Sequence, residues 1–398
     1  EDRAVERVSL ELELVTPAFL AGADQAKAEW RVPSIRGQLR FWLRAVAGLE
    51  TQDPAELRRI EEGVFGSTGR QSPVGLRLTD VQLANDPYQQ SSNGFGKGWD
   101  ESQLARAAKD ETPETLDRLR LRRGRGNPLA YLAFGALDFH GQPTRGLLPA
   151  QSKATLILQW RRLERPDLLR QALQAWLLLG GLGAKARKGF GSLRCNRVEG
   201  WPELDASALA PGSAAELGRL VEQWRAAGER GERPEWSCFS PHTEIFVSRE
   251  GQRDWQGALM HAGAWLTWFR RRYGYPKDIR PGLANRDYVW MQSRNPQSPA
   301  DRGGFGLPLP FTSFDKVLTW KSDRRSSPLH LHVACFGREL HSVWTHLPAR
   351  FLPEGAELTI KGGGSQKHAV TPEQEQIVGK FLGALKDQGL VEPLGGAR

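Results

Sequence analysis

The chain has 398 residues, room for two domains of ordinary size with a core each. Its 55 lysines and arginines outweigh 46 acidic residues for a net charge of +9, which favours a polyanionic partner over an acidic small molecule. Three scattered cysteines, Cys195, Cys238 and Cys335, exclude a zinc ribbon or disulfide framework, and no apolar run nears the roughly 18 residues that span a bilayer; a cytoplasmic protein without a membrane partner is expected.

Val8, Leu10, Leu12 and Leu14 alternate with polar residues, the period of a half-buried strand. Ser34 then caps a helix to about Leu49 in which Ile35, Leu39, Trp42, Leu43 and Val46 recur at helical spacing. A second helix opens at Asp53 with Pro54 at its first position and Glu56 completing a capping box. Residues 74–84 read as a strand, and about 85–126 form a polar insertion too long for an ordinary connection. A strand at 152–160, a helix from Pro166 to Leu179 and a strand through FGSLRCNRV complete the first half. Without its insertion this half runs strand, helix, strand, strand, helix, strand, the order of a ferredoxin-like (RRM-like) domain over residues 1–198.

Residues 199–236 read as a helical linker punctuated by Pro202, Pro211 and Pro234. The second half, 237–398, offers the strand HTEIFVS, the helix DWQGALMHAGAWLTWFRRRYGY, a Pro- and Gly-rich surface loop from Pro276 to Pro310, the strand SPLHLHVACF and the amphipathic helix PEQEQIVGKFLGALKDQGL. The expected fold class is α+β, two ferredoxin-like domains with insertions.

The run GGLGAKARKGFGSL carries the strongest functional signal. Gly181, Gly183, Gly189 and Gly191 permit positive φ and close approach to a ligand, while Lys185, Arg187 and Lys188 supply charge. No Ser or Thr follows a Gly-Lys pair, so this is not a nucleotide-hydrolysing phosphate loop. On the first helix Arg36, Arg40 and Arg44 stand four residues apart in one stripe, fit either to lie on a phosphate backbone or to pair with acids at a solvated edge. Phe41 lies off the apolar arc, as a stacking residue or a partly buried one. Arg122, Arg123 and Arg125 form a basic cluster in the insertion, either an RNA contact or a solvated charge run.

The pattern G-x-G, five residues, G-x-G between helix and strand resembles the glycine-rich loop of the RAMP superfamily, the RNA-binding proteins of CRISPR effector complexes. PSIRGQLRFWLRA, TPAFLAGADQ, EEGVFGSTG, FGLPLPF and DRRSSPLHLHV are similar to segments of one subunit family within it, numbered first in the type III-B (Cmr) effector. The resemblance implies two RAMP domains that hold guide (CRISPR) RNA near its distal 3′ end, help seat target RNA for antiviral defence and pack on other RAMP subunits, with no catalytic centre, metal or cofactor. Arg324 and Arg325 in DRRSSPLHLHV join the implied RNA-binding set. The rival reading is a metal-independent endoribonuclease that processes guide precursors, for which His330 and His332, sharing one face of a strand, would supply the acid–base group.

Overall fold

A computed structural model describes residues 4–85, 106–107, 109, 127–138, 141–201, 204, 206–224, 232–272, 287, 291–292, 300–311, 314–321, 324–362 and 366–395. The expected RNA contacts Arg122, Arg123 and Arg125 lie outside them.

The first sheet is antiparallel. The strand β1 (Glu6–Leu14) buries Val8, Leu10, Leu12 and Leu14 completely. The short β2 (Ala18–Phe19) follows, then the helices α1 (Val32–Ala47) and α2 (Pro54–Phe65) and the strand β3 (Gly75–Gln82). Beyond the insertion come α3 (Pro128–Leu132), β4 (Leu147–Leu148), β5 (Lys153–Trp160), α4 (Pro166–Leu179) and β6 (Leu193–Glu199). The sheet order β3-β5-β1-β6 places the first strand inside, between the third and fourth. Helices α1 and α4 pack on one another, and their apolar stripes meet the inward residues of β1 and β5 in one core. Val32 rather than Ser34 begins α1: Pro33 sits in its first turn, where a missing N–H costs nothing, and no side chain caps it. At α2, Asp53 accepts from Ala55 N, but Glu56 turns to Arg59, so the reciprocal half of the expected box is absent.

The stretch expected to be a linker carries α5 (Ala214–Val221), whose Leu217 and Val221, with Trp224 beyond it, are buried in the first core. The second sheet joins β7 (Glu244–Ser248), β10 (Leu329–Phe336), β11 (Glu339–His346) and β14 (Val391–Pro393) in the order β10-β11-β7-β14. Counted by chain position within each sheet, both sheets read second, third, first, fourth. The helices α6 (Trp255–Arg272) and α7 (Pro372–Asp387) cover one face. A third sheet, unforeseen in the sequence, orders β13 (Gln366–Ala369), β12 (Glu357–Lys361), β9 (Lys316–Thr319) and β8 (Leu309–Phe311). Residues 300–310, within the expected surface loop, contribute to its core instead: Ala300 and Leu307, with Phe311 just beyond, are buried with Leu318, Leu358 and Ile360. Their apolar side chains are spaced by glycine and proline, which hid them from any periodicity test.

Strand β10 decides how the halves meet. Leu329, Leu331 and Val333 point toward α6 and α7, whereas Ala334 joins the first core and His330 and His332 share its face. That second face of the sheet is covered by the first half of the chain. There His332 Nδ1 lies 2.7 Å from Gly180 O, and Ser192 Oγ accepts from Val333 N at 2.9 Å.

Candidate nucleic-acid interface

The glycine loop is packed at this junction. Its φ values are positive at Gly183, Lys185, Gly189 and Gly191, and Ala186–Lys188 form a single 3-10 turn. The freedom expected to admit a ligand is used inside the protein instead. A Cβ at Gly191 would lie 1.9 Å from Leu182 O, at Gly183 2.6 Å from Phe19 O, at Gly189 2.6 Å from Leu259 Cδ2 and at Gly181 2.9 Å from Phe190 O. Thr16 Oγ1 and Ser192 Oγ both donate to Gly189 O, which fixes the turn. The loop's contribution to a ligand therefore rests on its cations.

Those cations gather with others from far along the sequence. Lys185 Nζ lies beside Gly135, and burial with the charges of Arg145 and Arg324 lowers its affinity for a proton. Arg187 donates to Ser327 O at 2.8 Å, and burial beside Arg325 pushes its guanidinium down to about 10. Lys188 is only half-buried as a residue, yet its ammonium is the most desolvated of the three. Burial, with Arg270, Lys185 and Arg187 around it, pushes it down to about 7. Arg325 spends its hydrogen bonds on Phe351 O and Arg350 O, and Arg270 donates to the Tyr131 hydroxyl while stacking on Phe305. Among the described residues no carboxylate forms an ion pair with Lys185, Arg187, Lys188, Arg145, Arg324 or Arg325. Like charges held together without counter-ions are costly and are relieved by an anion.

The structure thus brings Lys185, Arg187, Lys188, Arg324 and Arg325 together. Arg145 and Arg270 were missed by sequence reasoning. The first is one arginine in a turn, with no signal of its own; the second belongs to the basic run WFRRR at a helix end, which could have been noticed.

The arginine stripe divides. Arg40 binds Glu61 at 2.8 Å and the carbonyls of Phe65 and Gly66 at 2.8 and 2.7 Å, and Arg44 shares the same Glu61 carboxylate. These two tie α1 to α2. Arg36 has no such partner among the described residues; burial and neighbouring Arg40 lower its pKa.

Phe41 is partly buried, stacked on His330 with ring centroids 5.3 Å apart and meeting Trp42 edge-on. His330 and His332 are only 4 and 2 % exposed. Burial first, then Arg187, Lys188 and His346, hold His330 neutral, and burial pushes His332 down to about 4. Among the described residues no group of three His, Cys, Asp or Glu could hold a metal ion, and no helix is long and apolar enough to cross a membrane.

Comparison with known proteins follows the same lines. Residues 11–194 match the family model of the RAMP superfamily. The CRISPR system Cmr subunit Cmr1-2 of Pyrococcus furiosus is 39% identical over 90 residues, 22% of this chain and 48% of that protein. Cmr subunit Cmr1-1 of the same organism is 27% identical over 194 residues, 47% of each. The matches thus span about half the length of these curated relatives. The apo crystal structure of Cmr1 from P. furiosus superposes with a TM-score of 0.51 at 16% identity, covering 98% of this chain and 99% of that one, a likeness of fold. With the glycine loop and the helix that precedes it inside, the matched region, residues 11–194, belongs to the RAMP superfamily.

Proposed function

We propose that this chain is a non-catalytic RNA-binding subunit of a type III-B (Cmr) CRISPR effector, made of two ferredoxin-like RAMP domains at 1–198 and 237–398. It holds guide RNA near the distal 3′ end, helps seat target RNA and packs on other RAMP subunits. The observation that carries this reading is the convergence of Lys185, Arg187, Lys188, Arg145, Arg270, Arg324 and Arg325 at one junction, six of them without a carboxylate partner among the described residues. The shared order of the two sheets supports the paired domains, and the names of the two Pyrococcus relatives support the assembly.

Nothing favours the endoribonuclease. General acid–base cleavage needs an imidazole within hydrogen-bond reach of a ribose hydroxyl or leaving oxygen. His330 and His332 are covered by the first half of the chain, where His332 is bonded to Gly180 O and His330 is stacked on Phe41.

The test is the salt dependence of binding to a single-stranded RNA. Arg145 and Arg324 are exposed and Lys185 half-buried, so Lys185→Gln, Arg145→Gln and Arg324→Gln together should leave the fold intact. Each engaged phosphate contributes about 0.7 to the log–log slope, so the triple variant should bind with a slope smaller by about two. An unchanged slope sinks the placement of RNA at this junction.

A further inference from the structure

We propose that the cation cluster at the junction takes the terminal phosphate of an RNA strand, a phosphomonoester, in preference to a phosphodiester within the strand. This rests on the RNA-binding reading above and narrows it.

The cluster is backed by protein on one side. Gly189 abuts Leu259 of α6 and Leu331 of β10, so the turn that carries Arg187 and Lys188 has protein against its far wall. A strand passing through needs an exit at each end, whereas a terminal phosphate needs one way in. Charge argues the same way. A diester brings one negative charge, whereas a monoester brings about −1.5 to −2 at neutral pH and three acceptor oxygens. Three loop cations without carboxylate partners, with Arg270 and Arg325 beside them, match the second better.

The full chain should be titrated with three RNA oligonucleotides of one sequence, bearing a 3′-phosphate, a 5′-phosphate, or hydroxyls at both ends. One phosphorylated form is expected to bind about tenfold more tightly than the hydroxyl form, and which one it is identifies the end received. Lys188→Met, close to lysine in length, should bring that preference within twofold, because it weakens the phosphorylated RNA more than the hydroxyl RNA. Lys185→Gln, nearer the surface, should reduce the preference in part and serves should the first variant fold poorly. Equal affinity for all three RNAs overturns the terminal preference and leaves the RNA-binding reading standing. Failure of every RNA to bind overturns both.

Discussion

Arg187 lies over the ring of Phe41, its guanidinium carbon 5.0 Å from the centroid, and the same ring stacks on His330. Three distant parts of the sequence therefore meet in one seam: the glycine loop, α1 and β10. Phe41 is a wedge between the two halves, with its ring engaged by the protein's own side chains. Phe41→Ala is expected to lower stability to urea by about 2–3 kcal/mol, the combined loss of a partly buried ring and a cation–π contact. A binding defect with unchanged unfolding would instead mark the ring as an open platform for a base.

Arg40 and Arg36 occupy one helical stripe but do different work. Arg40 satisfies the carbonyls that end α2 and pairs with a carboxylate only 13% exposed, so Arg40→Ala leaves Glu61 with Arg44 alone and two carbonyls unbound. The expected cost is about 2–3 kcal/mol. Arg36→Ala should change stability by no more than about 0.5 kcal/mol and reduce the RNA salt slope by about 0.7. Reversal of the two effects in paired denaturation and binding assays would refute the division.

Much of the fold was legible because the governing signals are local. The alternation of Val8 to Leu14, the helical spacing from Ile35 to Val46 and the proline at 166 each mark an element within a residue or two of where it lies. The third sheet was not, since Leu307, Phe311 and Leu318 gain their meaning only by meeting Leu358 and Ile360, far along the sequence. At the site, residue type pointed to Lys185, Arg187 and Arg325, but spacing could not tell that Arg40 and Arg44 would converge on Glu61. That pairing depends on the angle between α1 and α2. The glycines illustrate the same limit: a flexible loop reads alike whether its close neighbour is a ligand or Leu182.

Two glycine substitutions separate those cases. Gly191 has φ of +68° and a carbonyl where a Cβ would stand, so Gly191→Ala should destabilise by several kcal/mol or prevent folding, visible as loss of soluble protein or of a cooperative transition. Gly37, exposed on α1 with nothing within 4 Å of its added Cβ, should behave oppositely. Gly37→Ala is expected to stabilise by about 0.5–1 kcal/mol. A destabilised Gly37→Ala would mean that the exposed face of α1 needs a bare backbone, as a binding surface does.

Stability should climb with pH in two separate windows. For Lys188 the folded pKa, about 7, lies below its ordinary value of 10.5, so between these the unfolded chain binds more protons and stability rises as pH rises. Its cost is fully present below pH 7 and is gone above 10.5. For His332 the folded value, about 4, lies below 6.5, so the stability of its neutral, buried ring is intact above 6.5 and lost as pH falls toward 4. Urea midpoints measured from pH 4 to 9.5 should therefore rise through both ranges. Lys188→Met should lessen the alkaline climb and raise the midpoint at pH 7, while His332→Asn, which can still donate toward Gly180 O, should lessen the acid one, to which buried His330 and His346 also contribute. RNA bound at the junction should act like the first substitution, because an anion beside Lys188 favours its charged form and returns its pKa toward the ordinary value. Lys185, also lowered by burial, keeps a smaller climb in Lys188→Met; an alkaline climb as steep as in the unaltered protein would show that the Lys188 ammonium is solvated, and with it that the junction is open to water rather than poised for phosphate.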